Sequence, residues 1–334
     1  MQSVKLFFLL LCVCFWGCQP EAKYVSIAGE TMGTTYHVTY RDSLNRDLQS
    51  GVDSVLKVVN QSMSTYIPTS LISQFNQSSR GILMDQHFKT VFAKALEVAA
   101  NTGGAFDPTV APLVNAWGFG FKKQDNVDSA MIDSLMAFVG YEKVQIKGDS
   151  AIKLQPEVML DFSAIAKGYG VDAVAAYLES NGISNFMVEI GGEVMARGRN
   201  SHGQWWTIKI LRPADKADQT SAGEAVASLA DQALATSGNY QQFYEKDGRR
   251  YSHTINPETG WSVEHNLLSA SVIAPDCMTA DAYATAFMVM GKEKALQYAE
   301  RQQEVQVFLI FENEDKTLET FLSEDLKDQF DMLE

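Results

Sequence analysis

The sequence predicts an α+β fold in a single body, on three observations. Helical and strand periodicities alternate along the chain. The strands are joined by hairpins or single helices, without a regular βαβ repeat. No internal repeat or long low-complexity linker divides the chain. A hydrophobic fraction of 46% and a charged fraction of 20% are those of a globular protein with its own core.

The first element is an export segment. One cation, Lys5, precedes the unbroken apolar run over 6–16. Eleven residues at about 1.5 Å each cannot cross a roughly 30 Å hydrocarbon core, but they fit the apolar part of a signal peptide. The run ends at Gly17-Cys18 and turns polar at Gln19-Pro20-Glu21, which resembles a bacterial lipobox. Residues 1–17 are then the signal, Cys18 is the lipidated new first residue, 18–23 is a short tether and 24–334 is the globular body. The alternative is a plain secretory signal cleaved elsewhere, or a short anchor. Cys12 and Cys14 leave with the signal, so a lipidated Cys18 leaves Cys277 alone and no disulfide framework. Removing 17 residues from 334 leaves 317, enough to build a sizeable core. The net charge of −14 argues against nucleic acid as a partner. It also makes an anionic substrate awkward unless a metal ion or local donors offset it.

In the body, strands over 24–28 and 35–40 flank the turn at Gly29 to Gly33. Amphipathic helices are expected over 48–63, 86–101 and 129–139, the second closed by Gly103-Gly104. Strands over 143–147 and 151–154 make a hairpin across Gly148-Asp149-Ser150. A strand ends at Asp161, and a helix over 163–179 follows, with Ser163 as a candidate cap, stopping at Asn181-Gly182. Strands at 185–190 and 205–211 come next, then a surface loop at 215–224. A hairpin pairs 241–244 with 250–255. A strand at 267–273, helices at 276–290 and 292–301 and a strand at 305–311 complete the order.

Five constellations carry chemistry. Glycine-rich turns recur at Met32-Gly33-Thr34-Thr35, Gly191-Gly192-Glu193, Thr236-Ser237-Gly238-Asn239 and Thr259-Gly260, and glycine lets backbone N–H groups approach a phosphate. None matches the dinucleotide or Walker fingerprints. Lys167 lies in the early turns of its helix, where a cation has poor structural value and makes sense facing an anion. Asp281 and Thr285 share a helix face flanked by Ala280, Ala284 and Phe287, so carboxylate and hydroxyl project inward as a hard-cation site or as a buried cap. His253 ends a strand before a proline turn and is a candidate base or donor. The run Phe106-Asp107-Pro108-Thr109 to Trp117-Gly118-Phe119-Gly120 reads as a rigid loop beside an aromatic pocket, suited to a flat ring.

Taken in order, eight motifs resemble the FAD:protein FMN transferase (ApbE-like) family. They are Thr31-Met-Gly-Thr-Thr-Tyr36, Ser64-Thr-Tyr-Ile-Pro-Thr-Ser70, Ala105-Phe-Asp-Pro-Thr-Val110 and the stretch from Asp161 to Gly168. Val188-Glu-Ile-Gly-Gly-Glu193, Ala235-Thr-Ser-Gly-Asn-Tyr240, His253 to Gly260 and Ala280-Asp-Ala-Tyr-Ala-Thr285 follow. The resemblance implies a single ApbE-like, T-fold-related catalytic domain. It implies FAD contacts at Met32, Tyr66, Ala105, Phe106, Asp107, Asp161, Lys167 and Ile255. It implies a Mg²⁺ site from the Ala164 carbonyl with Asp281 and Thr285, and His253 close to the diphosphate. The implied reaction moves FMN from FAD to a Thr or Ser hydroxyl of another protein as a phosphoester, releasing AMP. His253 and Asp281 are both candidates for activating that hydroxyl. The family's target pattern, Asp-x-x-Ser/Thr-Gly-Ala-Ser/Thr, does not occur in this chain, so the acceptor is expected on another protein. A flavin-bearing subunit of a membrane electron-transfer complex is the expected acceptor. With the lipid anchor, this places the body on the periplasmic face of a bacterial membrane, the inner rather than the outer. An FAD pyrophosphatase giving FMN and AMP, and a non-catalytic flavin-binding lipoprotein, are the competing readings.

Overall fold

The computed structural model describes residues 23–120, 127–213, 223–238, 243–246, 249–301 and 305–333. The signal segment, Cys18 and most of the tether lie outside the described residues. So do most of the 215–224 loop, Asn239-Tyr240 and Asp247-Gly248.

The chain opens with β1 (Lys23–Thr31), β2 (Thr34–Asp42), α1 (Gln49–Met63), α2 (Leu71–Gln77), β3 (Gly81–Leu83) and α3 (Gln86–Asn101). Next come α4 (Ala111–Ala116), α5 (Ser129–Met136), β4 (Val144–Lys147), β5 (Ser150–Lys153), α6 (Ala166–Ser180), β6 (Phe186–Ile190) and β7 (Glu193–Arg197). After these stand β8 (Trp206–Leu211), β9 (Gly223–Leu229), β10 (Ala233–Gly238), β11 (Phe243–Lys246), β12 (Arg249–Ser252) and β13 (Leu267–Ala274). The chain ends with α7 (Cys277–Ala299), β14 (Gln306–Glu312), β15 (Leu318–Leu322) and β16 (Phe330–Met332). Every described strand pairing is antiparallel.

One eight-stranded sheet, ordered β1-β2-β6-β7-β10-β13-β14-β15, is the backbone of the fold. Its central strands are buried on both faces, which their near-continuous apolar sequences announce. In β13, seven of the eight residues are buried. On one face lie α1, α3, α6 and α7. Val52, Leu56, Val174 and Leu178 pack with Tyr36, Val38 and Val188, and Phe88, Phe92, Phe162 and Phe287 pack with Val272 and Leu309. On the other face, a three-stranded sheet β16-β9-β8 buries Trp206, Ile210 and Phe330 against Val194, Ile273 and Phe308. A satellite cluster joins Leu113, Trp117 and Ile132 to Ile255. Each apolar face finds a partner layer, as an α+β fold requires.

The expected hairpins and helices stand within a few residues of their predicted ends. Helix α7 carries the predicted division, since Gly291 breaks it with φ 72°. Three expectations need correction. No strand ends at Asp161, and α6 starts at Ala166, not Ser163. The Ser163 N–H donates to Asp161 Oδ1 at 2.7 Å, and Ile165 holds φ −152°, so the chain is bent until Ile165 and Ser163 is not the cap. Thr236-Ser237-Gly238 is not a turn but the end of β10, with Thr236 opposite Ser271 and Ser237 opposite Ala270. The 106–120 loop contains a helix, α4, with a proline in its first turn, where a missing N–H does no harm.

Candidate active site

The starts of α6 and α7 meet, and their contact builds a buried polar cluster. Cys277 and Met278 N–H groups at the α7 start donate to Asp172 of α6, both at 2.8 Å. One turn further, the Gly168 N–H donates to Asp281 Oδ2 at 2.9 Å. In a continued helix that N–H would bond the Ala164 carbonyl. Turning it to Asp281 leaves that carbonyl without this helical partner. Gly168 permits the approach: a Cβ there would stand 2.3 Å from the Cys277 carbonyl oxygen and 2.8 Å from Asp281 Cβ. Thr285, one turn along α7, lies 3.3 Å from Ser237 Oγ at the end of β10.

The residues present fit a hard cation. Ala164, Asp281 and Thr285 offer a carbonyl, a carboxylate and a hydroxyl, all oxygen. Among the described residues no group of three or more His, Cys, Asp or Glu side chains gathers to hold a metal. A cation here must therefore draw its remaining ligands from water and substrate phosphate, the habit of Mg²⁺.

The charges around Asp281 support the same reading. Lys167 Nζ pairs with Glu193 Oε1 at the start of β7. Burial opposes the ammonium's charge, yet the nearby Asp281 and Glu193 carboxylates keep Lys167 above its ordinary value. Burial pushes both Glu193 and Asp281 up; Asp281 adds to the rise at Glu193, and Lys167 opposes it at both. A raised carboxyl and a raised ammonium in one pair pull in opposite senses. They are reconciled by the count of groups: one cation serves two buried carboxylates. The Lys167 ammonium faces both acids, and a divalent cation beside them would favour their ionised forms.

Two turns converge on this cluster. The Gly191 N–H donates to the Thr35 carbonyl at 3.1 Å, and the Gly192 N–H donates to Glu189 Oε1 at 2.7 Å. Met32 occupies the tight β1–β2 turn at φ 51°. Its side chain lies against Gly170 of α6, where a Cβ would stand 2.8 Å from Met32 Cε. Met32 is thus brought beside the helix that carries Lys167.

A second group of predicted contacts is assembled from loops. The Asp161 N–H donates to the Pro108 carbonyl at 2.8 Å, tying the stretch before α6 to Phe106–Asp107. Asp107 is spent within its loop, accepting from the Thr109 N–H at 2.7 Å, the Thr109 hydroxyl at 2.6 Å and the Tyr141 N–H at 2.8 Å. Phe106 points into the main core. Side chains at these positions fix the loop, and its main chain is what remains to meet a ligand. A cavity of about 250 Å³ is lined by Gly103, Gly104, Ala105, Asn256, Lys294 and Tyr298 among others, so Ala105 and the neighbour of Ile255 share a wall. Ile255 itself is buried beside Trp117, whose Nε1–H donates to the Gly260 carbonyl at 2.9 Å.

Tyr66 stands on the α1–α2 loop with 70% of its surface exposed, a ring with an uncovered face. His253 lies just past β12, edge-on to Phe119 at 6.4 Å between ring centroids. Sequence reasoning missed Glu193 and Ser237 as site residues. The signal for Glu193 was an acidic residue opening a strand whose next three residues are buried. Ser237 lies in the glycine-rich stretch 236–239, which reads as a turn, so its side chain had no expected partner.

Comparison with known proteins shows the family. A family model described as the ApbE family matches residues 32–309. An FAD:protein FMN transferase of Vibrio cholerae is 42% identical over 307 residues, covering 90% of this chain and 91% of that protein. The solved flavin transferase ApbE from Vibrio cholerae superposes with a TM-score of 0.84 at 40% identity, over 92% of this chain and 99% of that one. The apo Pseudomonas stutzeri flavinyl transferase ApbE gives 0.82 at 33% identity, over 92% and 97%. With a family model spanning most of its length and relatives covered nearly end to end, this chain belongs to the ApbE family.

Proposed function

We propose that this chain transfers FMN from FAD to a Thr or Ser hydroxyl of a target protein. The observation that supports the proposal is the junction of α6 and α7, where the Gly168 N–H holds Asp281 and Lys167 pairs with Glu193 beside it. The acceptor hydroxyl attacks the FMN-side phosphorus of FAD. A new P–O bond forms, the bond to the bridging oxygen breaks, and AMP leaves with that oxygen. The hydroxyl proton passes to a base. Mg²⁺, held by the Ala164 carbonyl, Asp281 and Thr285, would supply charge neutralisation at the diphosphate and at the leaving oxygen. Lys167 adds a fixed cation next to that site. Met32 and Tyr66 offer flat apolar and aromatic surface to a ring. The main chain of Ala105–Asp107 with Asp161 and Ile255 offers a second wall.

Of the two candidate bases, His253 is favoured. Asp281 already accepts from Gly168 and is the one carboxylate of the cation site, so it has little left with which to take a proton. His253→Ala is expected to lower turnover by roughly 10²- to 10⁴-fold, the usual range for a general base. FAD affinity should change little; stopped-flow turnover and equilibrium FAD titration on the same variant check both statements.

The acceptor is expected on another chain, a flavin-bearing subunit of a membrane electron-transfer complex carrying a Ser/Thr pattern of the kind named above. A lipid on Cys18 would hold the enzyme on the periplasmic face of the inner membrane, near such a complex. The mass of the mature N-terminal peptide tests this: a diacylated or triacylated Cys18 supports the anchor, and an unmodified N-terminus at any other residue refutes it. The reaction itself is tested by product analysis. With FAD and Mg²⁺, adding an acceptor domain should make AMP appear without matching free FMN. Equal FMN and AMP with or without the acceptor would make the protein a pyrophosphatase, and unchanged FAD would leave only a flavin binder.

A further inference from the structure

We propose that Glu193 is a positioning residue that holds the Lys167 ammonium away from Asp281, leaving Asp281 open to the divalent cation. The inference rests on the Mg²⁺ site proposed above and concerns how this chain keeps that site available.

Lys167 is the second residue of α6, where the positive end of the helix disfavours a cation. It directly precedes Gly168, whose N–H holds Asp281. Its ammonium therefore projects from the residue next to the one that grips the carboxylate. Left alone, a lysine so placed would settle on Asp281. Glu193 prevents this by presenting a second carboxylate from β7. Its side chain is 4% exposed while 31% of the Lys167 side chain remains accessible, so Glu193 backs the ammonium from within and solvent reaches it from the front. Glu193 Oε2 is buried without a hydrogen-bond partner. A buried carboxylate with an orphaned oxygen is a poor stabilising device. Lys167 is the one described side-chain hydrogen-bond partner of Glu193. The flanking geometry fixes it there: Glu193 pairs with Ile190 across the Gly191-Gly192 turn.

The consequence is a definite sign. Without Glu193, the ammonium has one carboxylate left, Asp281, and must be displaced before a cation can bind. Removing the lysine as well removes the competitor. Mg²⁺ binding to the FAD-free protein, measured by titration calorimetry, therefore tests the proposal without reference to turnover. Glu193→Gln should raise the Mg²⁺ dissociation constant roughly tenfold or more, the scale on which partners behind a metal ligand act. Glu193→Gln with Lys167→Met should bring it back to within about threefold of the wild type, because the two residues are coupled. A purely structural role for Glu193 would not be reversed by deleting its partner. Wild-type affinity in Glu193→Gln, or weakened affinity that Lys167→Met does not restore, would overturn the proposal. If Glu193→Gln does not fold, Lys167→Met alone decides: it should bind Mg²⁺ at least as tightly as the wild type, and weaker binding would overturn the proposal. Asp281→Ala separates the two levels. Loss of Mg²⁺ binding in that variant upholds the site even where the Glu193 inference fails, and binding that survives it removes the site itself.

Discussion

Asp281→Ala is expected to reduce metal-dependent FMN transfer by roughly 10³-fold, since a cation at a diphosphate supplies several kcal/mol and each ~1.4 kcal/mol is tenfold in rate. FAD binding should persist, because the proposed contacts at Ala105–Asp107, Asp161 and Ile255 stand on other elements. The variant also strips Gly168 of its acceptor, and a buried N–H without a partner costs about 1–3 kcal/mol. Asp281→Asn separates these effects. Its amide oxygen can still accept from Gly168, so the fold should be kept while the charge at the cation site is lost. Turnover in Asp281→Asn as low as in Asp281→Ala, with a melting temperature near the wild type, is the predicted pattern. Full activity in either variant would remove Asp281 from the cation site.

Gly168→Ala should be nearly as damaging, although it changes no functional group. The added Cβ would meet the Cys277 carbonyl oxygen at 2.3 Å, its carbon at 2.7 Å and Asp281 Cβ at 2.8 Å. Two of these atoms are backbone at the start of α7 and cannot swing aside. The helices must separate, and overpacking of this kind costs about 1–3 kcal/mol. For a domain of this size that is a fall of several degrees in melting temperature, at roughly 2–4 °C per kcal/mol. The larger effect is on catalysis. Moving α6 shifts the Ala164 carbonyl and Lys167 relative to Asp281, and a displacement of about 1 Å in a positioned site can cost roughly 10²-fold. Thermal melting and steady-state AMP release check the two parts. An alanine variant with unchanged melting and turnover would mean that the close α6–α7 contact does not organise the site.

Both predictions draw on features that differed in how far the sequence revealed them. The inward face of α7 was readable, because Asp281 and Thr285 are four residues apart among small buried neighbours. The break at Gly291 was readable from the glycine between two helical stretches. The pairing of Lys167 with Glu193 was not, since it spans 26 residues and no local spacing encodes it. What could be read was only that a lysine near a helix start needs an anion. The start of α6 was misplaced because Ser163 has the right chemistry for a cap, while the actual bend is set by Asp161 and the nonhelical Ile165, which no propensity marks. β10 was missed for a related reason. Thr236-Ser237-Gly238 has turn composition, and its strand state is imposed by pairing with β13, a tertiary effect that overrides local preference. The loop at Ala105–Asp107 is singled out by resemblance, but the inward use of the Asp107 carboxylate on Thr109 and Tyr141 emerges only from the packed structure.

The most direct test of the account is intact mass spectrometry of an acceptor domain carrying Asp-x-x-Thr-Gly-Ala-Thr, incubated with this protein, FAD and Mg²⁺. The account predicts a mass increase equal to one FMN, located on a threonine hydroxyl of that pattern and absent when both of its threonines are alanine. An acceptor of unchanged mass, with FAD converted to FMN and AMP in solution, would contradict it.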